Sequence, residues 1–324
     1  EIPDSHGPGT SPDGDESARE MRGATMTETS NSPTVELEAL DALWFQVAGT
    51  LCNLECTHCF ISCSPKNNNF GYMSRDAVER LLEQSVAWGT REYYFTGGEP
   101  FLNPNLVEML ISTLQFGPAT VLTNGTVLRS EWLSRLWAAE TQSLFSLEFR
   151  VSIDGPTAQL NDAVRGDGSF NRALRGVRML VENGFLPIIT MTRLWSEAED
   201  AQVLGVFRDL LAEVGYLRPR LKVLPRLQLG AELDRTSGYG PHDRVTHNML
   251  DGYDVQHLVC SHSRVATDRG IYVCPILLDS PDAHLGQTLE EAHVGFSLDH
   301  GACMTCYQYG AICSNISSIP QGDR

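Results

Sequence analysis

Three cysteines in the first fifth of the chain have the spacing of ligands for an iron–sulfur cluster. Cys52, Cys56 and Cys59 form a C-x3-C-x2-C group within one short segment. Thiolates are the usual protein ligands of these clusters, and a [4Fe–4S] cube in an electron carrier commonly takes four of them. Three thiolates therefore leave one iron free to bind another molecule. A tetrahedral zinc site is the alternative, with Cys63 or His58 as the fourth ligand.

A second group of cysteines lies in the last third of the chain. Its members are Cys260, Cys274, Cys303, Cys306 and Cys313. The first two belong to a hairpin-like segment with a turn at Asp268-Arg269-Gly270, and the other three form a C-x2-C-x6-C group. One metal centre needs four thiolates, so one thiol is left over. Either structural zinc or a second cluster would help this irregular region to fold, because metal-binding free energy becomes folding free energy.

Glycine-rich and polar motifs follow three of the predicted strands. They are Thr96-Gly97-Gly98-Glu99-Pro100, Thr123-Asn124-Gly125-Thr126 and Val151-Ser152-Ile153-Asp154-Gly155. Two adjacent glycines leave the backbone open to close approach by a ligand. Gly-Gly, Asn-Gly and Asp-Gly are also common turn dipeptides, so each motif is weak evidence by itself. Their order on successive strands is the evidence that they form one ligand-binding site.

Short β-type runs alternate with helical stretches between about residues 42 and 224. The predicted strands are Leu43–Ala48, Glu92–Phe95, Ala119–Leu122, Glu148–Ile153, Leu186–Met191 and Arg220–Leu224. The predicted helices are a segment capped by Ser74 and ending near Trp88, then Asn105–Leu114, Glu131–Ala139, Phe170–Glu182 and Glu197–Val214; in the first, Glu79, Leu81, Leu82 and Val86 have helical spacing. Six strand–helix steps predict an α/β fold with a partial (β/α)6 TIM-type barrel, since a full barrel needs eight. Chemistry in such barrels lies at the C-terminal ends of the strands, where the cysteine triad and the three motifs are found.

The chain divides into three predicted regions. Residues 1–35 are rich in Pro, Gly, Ser, Thr, Asp and Glu, a composition that predicts disorder. Residues 36–229 form the barrel. Residues 230–324 have weak periodicity and five of the nine cysteines, so we expect a small C-terminal extension that binds a cluster.

The charge balance limits the class of partner. The 324 residues carry a net charge of -17. Nucleic acid needs a basic face and is excluded, whereas a cationic small substrate is compatible, although many soluble proteins are acidic. No apolar run approaches the roughly 20 residues of a membrane span, and no secretory signal is visible. We therefore expect a cytoplasmic protein without membrane contact, whose clustered cysteines bind metal and do not form disulfides.

The triad and the three strand-end motifs, in this order, resemble the radical S-adenosylmethionine (radical SAM) enzymes. The resemblance implies that Cys52, Cys56 and Cys59 hold a [4Fe–4S] cluster whose open iron binds SAM. An electron then cleaves SAM, and the 5′-deoxyadenosyl radical removes a hydrogen atom from the substrate. A donor such as flavodoxin or ferredoxin would supply the electron. The implied cosubstrate contacts, with the glycines at the methionyl amino group and the last two residues at the ribose, are Gly97, Gly98, Glu99, Pro100, Asn124, Ser152 and Asp154.

The C-terminal cysteines resemble the auxiliary-cluster extensions, of the twitch and SPASM types, that follow radical SAM barrels. The resemblance implies a second [4Fe–4S] cluster. Two ligand sets remain open. One is Cys260, Cys303, Cys306 and Cys313, which frees Cys274, and the other replaces Cys313 by Cys274. Cys63 is expected to be a buried thiol outside both sets.

From about residue 42 the chain resembles the radical SAM enzymes of aminoglycoside biosynthesis. The resemblance implies an epimerase that inverts one sugar carbon of a cationic aminoglycoside, with Cys274 returning a hydrogen atom to the face opposite the abstraction. Alternatives are a dehydrogenase of an aminocyclitol or sugar alcohol, and a peptide-modifying SPASM enzyme, although no separate peptide-recognition region is visible ahead of the barrel. A non-catalytic iron–sulfur or zinc protein would have no need of the strand-end motifs.

Overall fold

A nine-stranded sheet organises residues 32–310 and 312, the part of the chain that the computed structural model describes. Its order is β10-β9-β8-β2-β3-β4-β5-β6-β7, while β1 and β11 form a separate antiparallel ribbon. All neighbours from β8 to β7 are parallel, and β9 and β10 are antiparallel additions. The strands are β1 (Thr34–Val35), β2 (Ala42–Gln46), β3 (Glu92–Thr96), β4 (Ala119–Thr123), β5 (Leu147–Ser152), β6 (Ile188–Thr192), β7 (Arg220–Leu224), β8 (Ser263–Thr267), β9 (Gly270–Tyr272), β10 (His284–Gly286) and β11 (Phe296–Ser297).

Helices connect the parallel strands and confirm the predicted partial (β/α)6 barrel of β2 to β7. Each predicted strand and helix begins and ends within two residues of its expected bounds, with one exception. The last predicted helix begins at Asp200, three residues later than expected. Two helices were not predicted, one directly after the Ser-Ile-Asp-Gly motif and one that carries two cysteines. The helices are α1 (Arg75–Ala87), α2 (Leu106–Thr113), α3 (Ser130–Glu140), α4 (Ala158–Arg165), α5 (Ser169–Glu182), α6 (Asp200–Glu213) and α7 (Gly301–Tyr309).

Helix α1 shows how the sequence specifies a local element. The Ser74 hydroxyl accepts a hydrogen bond from the backbone N–H of Ala77 at 3.2 Å, as the predicted N-cap requires. Its buried face is formed by Val78, Leu82 and Ser85. Val86, although it has helical spacing, lies outside this face and is 61% exposed.

The two faces of the barrel strands pack against different parts of the protein. Side chains alternate between the faces of a strand, so Phe45 and Phe95 pack under the helices while Trp44 and Tyr94 point into the barrel. The rings of Trp44 and Tyr94 stack with centroids 4.1 Å apart. The inward set becomes polar towards the C-terminal ends of the strands, where the predicted motifs lie.

The C-terminal region continues the barrel sheet. Strand β8 pairs with β2 in parallel, with Trp44 opposite Val265, and β9 and β10 extend the edge further. One buried apolar cluster accordingly joins barrel residues to C-terminal ones. The domain division at residue 229 therefore remains a prediction, and it crosses a continuous sheet.

The composition predicts disorder in residues 1–35 and no membrane span. Most of the segment predicted to be disordered, residues 1–31, lies outside the described part, but Thr34 and Val35 at its end form β1. Within residues 32–310, no helix has the length and apolar character needed to cross a membrane.

Candidate functional site

A cavity of about 230 Å³ opens at the C-terminal ends of β2 to β7, and we call it the barrel cavity. The inward-facing residues of the six strands form its walls, as the alternation of side chains requires. The cysteine triad, Gly97, Gly98, Asn124 and Ser152 all line it. The structure thus brings together most of the residues that the sequence predicts for the first cluster and its cosubstrate. The wall positions are Trp44, Gln46, Thr96, Leu122, Arg150, Ser152, Thr190, Thr192 and Leu224.

Hydrogen bonds fix the backbone of the cysteine loop. The N–H of Glu99, after β3, donates to the carbonyl of Leu51 at 3.0 Å. The N–H of Cys52 donates to the carbonyl of Ser64 at 3.1 Å. The N–H of Leu54 points at Cys52 Sγ, 3.4 Å away, and the N–H of Cys63 points at Cys59 Sγ, 3.2 Å away. Donors aimed at sulfur favour the thiolate form, which is the form that binds metal.

The three thiols of the triad have different proton affinities. Burial raises the pKa of Cys52 to about 12 and that of Cys56 to about 11. Hydrogen bonds from Cys63 lower the pKa of Cys59 to about 6. A bound metal centre deprotonates its thiol ligands, so a cluster would stabilise the two buried sulfurs as thiolates.

The spacing of these groups matters for the kind of metal they can hold. Among residues 32–310 and 312, no three His, Cys, Asp or Glu side chains are close enough to hold a single metal ion. Each thiolate of a cube binds a different iron, so a cluster does not require that proximity. The soft thiolate donors of the triad fit such a cluster.

The two glycines at the end of β3 allow the cysteine loop to lie directly against the strand. A Cβ atom at Gly98 would stand 2.1 Å from the carbonyl oxygen of Leu51, and one at Gly97 would stand 2.8 Å from the Cβ of Ala48. Gly97 also has φ = +146°, a backbone conformation that favours glycine. A side chain at either position would push the loop out of place.

Glu99 and Pro100 do not line the barrel cavity, and their contact with a cosubstrate stays a prediction. The Glu99 carboxylate is buried and accepts hydrogen bonds from the Asn124 N–H at 2.8 Å and the Thr123 hydroxyl at 2.7 Å. Burial raises the pKa of Glu99 to about 7. This residue ties the ends of β3 and β4 together, and so it fixes Asn124.

Asn124 connects the third strand end to the cysteine loop. Its Nδ2 donates to Asn53 Oδ1 at 2.9 Å and lies 3.8 Å from Cys52 Sγ. Asn53 in turn donates to the hydroxyl of Thr126 at 2.9 Å. Asn124 therefore lines the cavity, and its amide side chain holds the cysteine loop in place.

Asp154 lies beneath the cavity and joins two residues that line it. Its side chain is 0% exposed, and its Oδ2 lies 2.7 Å from His58 Nε2 and 2.5 Å from Arg165 Nε. The backbone N–H of Thr192 donates to Oδ1 at 2.6 Å. Although burial acts to raise the pKa of Asp154, Arg165 and His58 hold it below its usual range. The predicted contact between Asp154 and a ribose is not favoured, because its acceptor oxygens are already engaged.

Several groups that the sequence did not single out reach the barrel cavity. Arg165 comes from helix α4, an amphipathic helix capped by Thr157 that the sequence analysis did not predict. Arg226 follows β7, and its Nε lies 3.3 Å from Oε1 of the buried Glu232. His58 was considered only as a zinc ligand, yet its side chain is 7% exposed and its Nδ1 has no hydrogen-bond partner among the described residues. The cavity can therefore bind anionic and hydrogen-bonding groups.

Four of the five C-terminal cysteines meet in a second pocket of about 30 Å³, which we call the cysteine pocket. They are Cys260, Cys274, Cys303 and Cys306, the last two on one face of α7, and Cys313 lies outside the described residues. Burial raises the pKa of all four thiols. The other lining residues are all apolar, namely Leu258, Val259, Val273, Ile276, Leu277, Phe296, Leu298 and Ala302.

The two unassigned thiols of the sequence analysis lie in different places. Cys63 lines the barrel cavity beside the triad, and its hydrogen bond with Cys59 raises its pKa. Cys274 lies in the cysteine pocket, but the next residue, Pro275, lines the barrel cavity. Its predicted role as a hydrogen donor remains a prediction, and its position also suits a cluster ligand.

The chain is similar in sequence to several known proteins. Residues 47–199 match the Radical SAM superfamily. The chain is 31% identical to the AdoMet-dependent heme synthase of Methanosarcina barkeri over 63% of its own length, and 30% identical to the mycofactocin maturase MftC of Mycobacterium tuberculosis over 52%. It is 29% identical over 50% to the subtilosin biosynthesis protein AlbA of Bacillus subtilis. These matches span 56%, 42% and 36% of the three relatives, so the chain covers about half their length.

Solved structures show the same fold. The anSMEcpe structure with bound AdoMet aligns with a TM-score of 0.56 at 18% identity, covering 78% of this chain and 79% of that one. The Streptococcus suis SuiB structure bound to the precursor peptide SuiA aligns with a TM-score of 0.56 at 16% identity, over 76% and 62% of the two chains. Residues 47–199 therefore resemble the radical SAM superfamily, and the described part of the chain shares the partial-barrel fold of these structures.

Proposed function

We propose that this protein is a radical SAM enzyme that removes a hydrogen atom from a substrate in the barrel cavity and carries a second cluster in the cysteine pocket. The observation that supports this most is the convergence of the cysteine triad with Gly97, Gly98, Asn124 and Ser152 around one cavity. When bound, the first cluster and SAM supply an electron and a carbon-centred radical.

Different side chains of the cavity would bind the cluster and the separate parts of SAM. Cys52, Cys56 and Cys59 hold the cluster, and the polar groups beside them orient SAM. Arg165, fixed by its ion pair with Asp154, provides a positive charge for the methionyl carboxylate. The hydroxyls of Ser152 and Thr190, 3.2 Å apart on the cavity wall, provide partners for the ribose. Apolar side chains that line the same cavity, among them Trp44, Leu54 and Phe60, limit the access of water to the radical.

The comparisons favour a peptide as the substrate. One relative is named for biosynthesis of the bacteriocin subtilosin, and one solved neighbour holds a precursor peptide. Arg226 reaches the cavity and is available to peptide carbonyl or carboxylate groups. Cys260, Cys274, Cys303 and Cys306 would hold the cluster of the cysteine pocket, which would supply an acceptor for an electron lost by the substrate.

Inversion of a sugar carbon in an aminoglycoside, the C-5‴ change from neomycin C to neomycin B, is the second candidate. Two observations favour it: the net charge of -17, and the position of Cys274 directly before a residue of the cavity wall. The thiol of Cys274 would then return a hydrogen atom, and Cys313 would complete the ligand set. The cationic residues that line the cavity, Arg150, Arg165 and Arg226, count against a polycationic substrate.

One set of reactions tests the proposal and separates the candidates. The chain is reconstituted with iron and sulfide without oxygen, then given SAM, dithionite and either precursor-type peptides, neomycin C or aminocyclitols in D2O. We expect 5′-deoxyadenosine, and a reduced protein that forms none with any substrate would overturn the proposed function. A peptide that loses two hydrogens supports the first candidate, and a sugar carbon inverted with one solvent deuterium supports the second. An aminocyclitol or sugar that loses two hydrogens indicates the dehydrogenase instead.

The variant Cys274→Ala gives a further separation. If Cys274 is a ligand, the variant loses the iron of the second cluster. If it is the hydrogen donor, the variant keeps this iron and forms 5′-deoxyadenosine without inverting the substrate. Iron analysis and product analysis on the same sample distinguish the two results.

A further inference from the structure

Arg264 on β8 is a buried cation beside the cysteine pocket. Its side chain is 1% exposed, and its guanidinium donates four hydrogen bonds to backbone carbonyls. Nη1 reaches the carbonyl oxygens of Cys260 and Ser263, each at 2.7 Å. Nε donates to Ala292 at 2.9 Å and Nη2 to Val294 at 2.7 Å. The charge is therefore held rigidly against the segment that carries Cys260.

These hydrogen bonds engage four of the five N–H donors of Arg264 but do not neutralise its charge. Every one of the four bonds ends on an uncharged carbonyl oxygen. Among the ion pairs of residues 32–310 and 312, none includes Arg264. The carboxylate that acts on it electrostatically is Glu36, which is exposed to solvent. Buried charges are costly unless they are paired, so an anion is expected nearby.

The thiols of the cysteine pocket would become anions when they bind a cluster. Arg264 Nη1 donates to the backbone carbonyl of Cys260, whose side chain lines this pocket together with that of Cys274. A cube bound by four thiolates has a net negative charge, which becomes one unit more negative when the cluster accepts an electron. A fixed cation stabilises the reduced form more than the oxidised form, and the low dielectric of the interior strengthens the effect.

We propose that Arg264 is the buried counter-charge of the auxiliary cluster and raises its reduction potential. This inference rests on the proposed function, because it requires a cluster in the cysteine pocket. It holds for either ligand set, since Cys260 belongs to both. Arg264 would thus make the second cluster a better acceptor for the electron that a substrate radical gives up.

A purely structural role for Arg264 makes a different prediction. Its hydrogen bonds also join Cys260 to the segment at residues 292–294, so its loss could disturb folding without any effect on potential. The charge and the hydrogen bonds can be separated by substitution. Arg264→Lys keeps the charge with fewer donors, Arg264→Gln keeps donors without the charge, and Arg264→Met removes both.

The test is a spectroscopic redox titration of the full chain with the triad replaced, Cys52→Ala, Cys56→Ala and Cys59→Ala, so that only the second cluster is observed. We expect Arg264→Gln and Arg264→Met to reduce the equilibrium constant for one-electron reduction at least tenfold, which is about 59 mV towards more negative potential. Arg264→Lys should stay near the parent chain.

The other outcomes are equally informative. A cluster that loads in the Gln and Met variants with an unchanged potential overturns the inference. If these two variants fail to load and Lys loads normally, the charge is required and the inference stands; if Lys also fails, the role is structural and the inference is wrong. If the parent chain itself binds zinc or no iron, the second-cluster part of the proposed function fails first, and this inference with it.

Discussion

The two cysteine sites of this protein use the same donor atom in opposite surroundings. Around the triad, a cavity of about 230 Å³ has glycine, amide, hydroxyl and guanidinium groups in its wall. Around the C-terminal cysteines, a pocket of about 30 Å³ is lined, apart from the sulfurs, by apolar side chains. Three sulfurs beside an open polar space suit a cluster that binds a cosubstrate, whereas four sulfurs in an apolar pocket suit a cluster that is fully ligated.

The two sites also differ in the position of their charged side chains. In the barrel cavity, Asp154 pairs with His58 and Arg165, and these two residues then present polar groups to the cavity. Beside the cysteine pocket, Arg264 is fixed by carbonyl groups and points at no ligand space. The first arrangement can orient a molecule that enters and leaves. The second can only change the energy of what is permanently there.

The largest expected effect comes from breaking the triad. Cys56→Ala should abolish 5′-deoxyadenosine formation and remove about half of the bound iron, because a cube loses stability with two thiolates. Anaerobic iron analysis and chromatography of the SAM products measure both. Cys63→Ala is the matched control, a neighbouring thiol in the same cavity that should keep its iron. Continued SAM cleavage by Cys56→Ala would show that the two sites have been assigned the wrong way round.

Loss of a ligand in the cysteine pocket should have a different outcome. Cys306→Ala should lose the other half of the iron and be destabilised by several kcal/mol, since cluster binding contributes to folding there. Cleavage of SAM in the barrel should persist. The control is Met304→Ala on the same helix, which removes a partly buried side chain but no ligand. Equal iron contents in the two variants would contradict the assignment of the pocket.

Removal of the charge beneath the barrel cavity tests whether polar positioning matters at the first site. Asp154→Asn should lower the free energy of unfolding by about 3–5 kcal/mol, because Arg165 is left buried without its anion. Because Arg165 and His58 lose their orientation, it should also weaken SAM binding at least tenfold in equilibrium titrations.

Asp162→Asn is the matched control for Asp154→Asn. The Asp162 carboxylate accepts hydrogen bonds from the backbone N–H groups of Gly168 and Phe170, each at 2.8 Å, and it does not line the cavity. It should cost about 1 kcal/mol, in the manner of a helix cap, and leave SAM affinity unchanged. Equal losses of SAM affinity in both variants would refute the positioning role of Asp154.

The smallest expected effect concerns Glu99 and pH. Its pKa is about 7 in the folded protein and 4.5 when unfolded, so the folded state retains a proton that the unfolded state has released. Its stabilising contribution is complete below pH 4.5 and is lost as pH rises through 7. Between pH 6 and 8 the free energy of unfolding should fall by about 1.4 kcal/mol more in the wild type than in Glu99→Gln. Denaturant unfolding at both pH values measures this, and parallel pH profiles would contradict it.

Much of the barrel follows from local sequence. Strands such as Glu92–Thr96 and helices such as α1 appear within a residue or two of their predicted bounds, because apolar periodicity and caps act over a few residues. The pairing of β8 with β2 was not predicted, since it joins segments more than two hundred residues apart. Helix α7 was also missed, because its apolar residues do not follow one helical face.

The candidate site shows the same limit at the level of side chains. The motifs correctly placed Gly98, Asn124 and Ser152 at one cavity, because the ends of parallel strands share an edge. They could not show that Glu99 and Asp154 lie behind the wall, as this depends on which direction each side chain takes after the strand ends.

The sequence by itself determined the order of the elements, the cysteine triad and the strand ends that meet it, since these depend on spacing along the chain. Only the tertiary structure decided which polar groups face the barrel cavity and which brace it. It also decided that Cys274 lies with Cys260, Cys303 and Cys306, and that Arg264 is buried beside them. Those contacts come from packing between distant segments, and the energy of a buried charge depends on its neighbours in space.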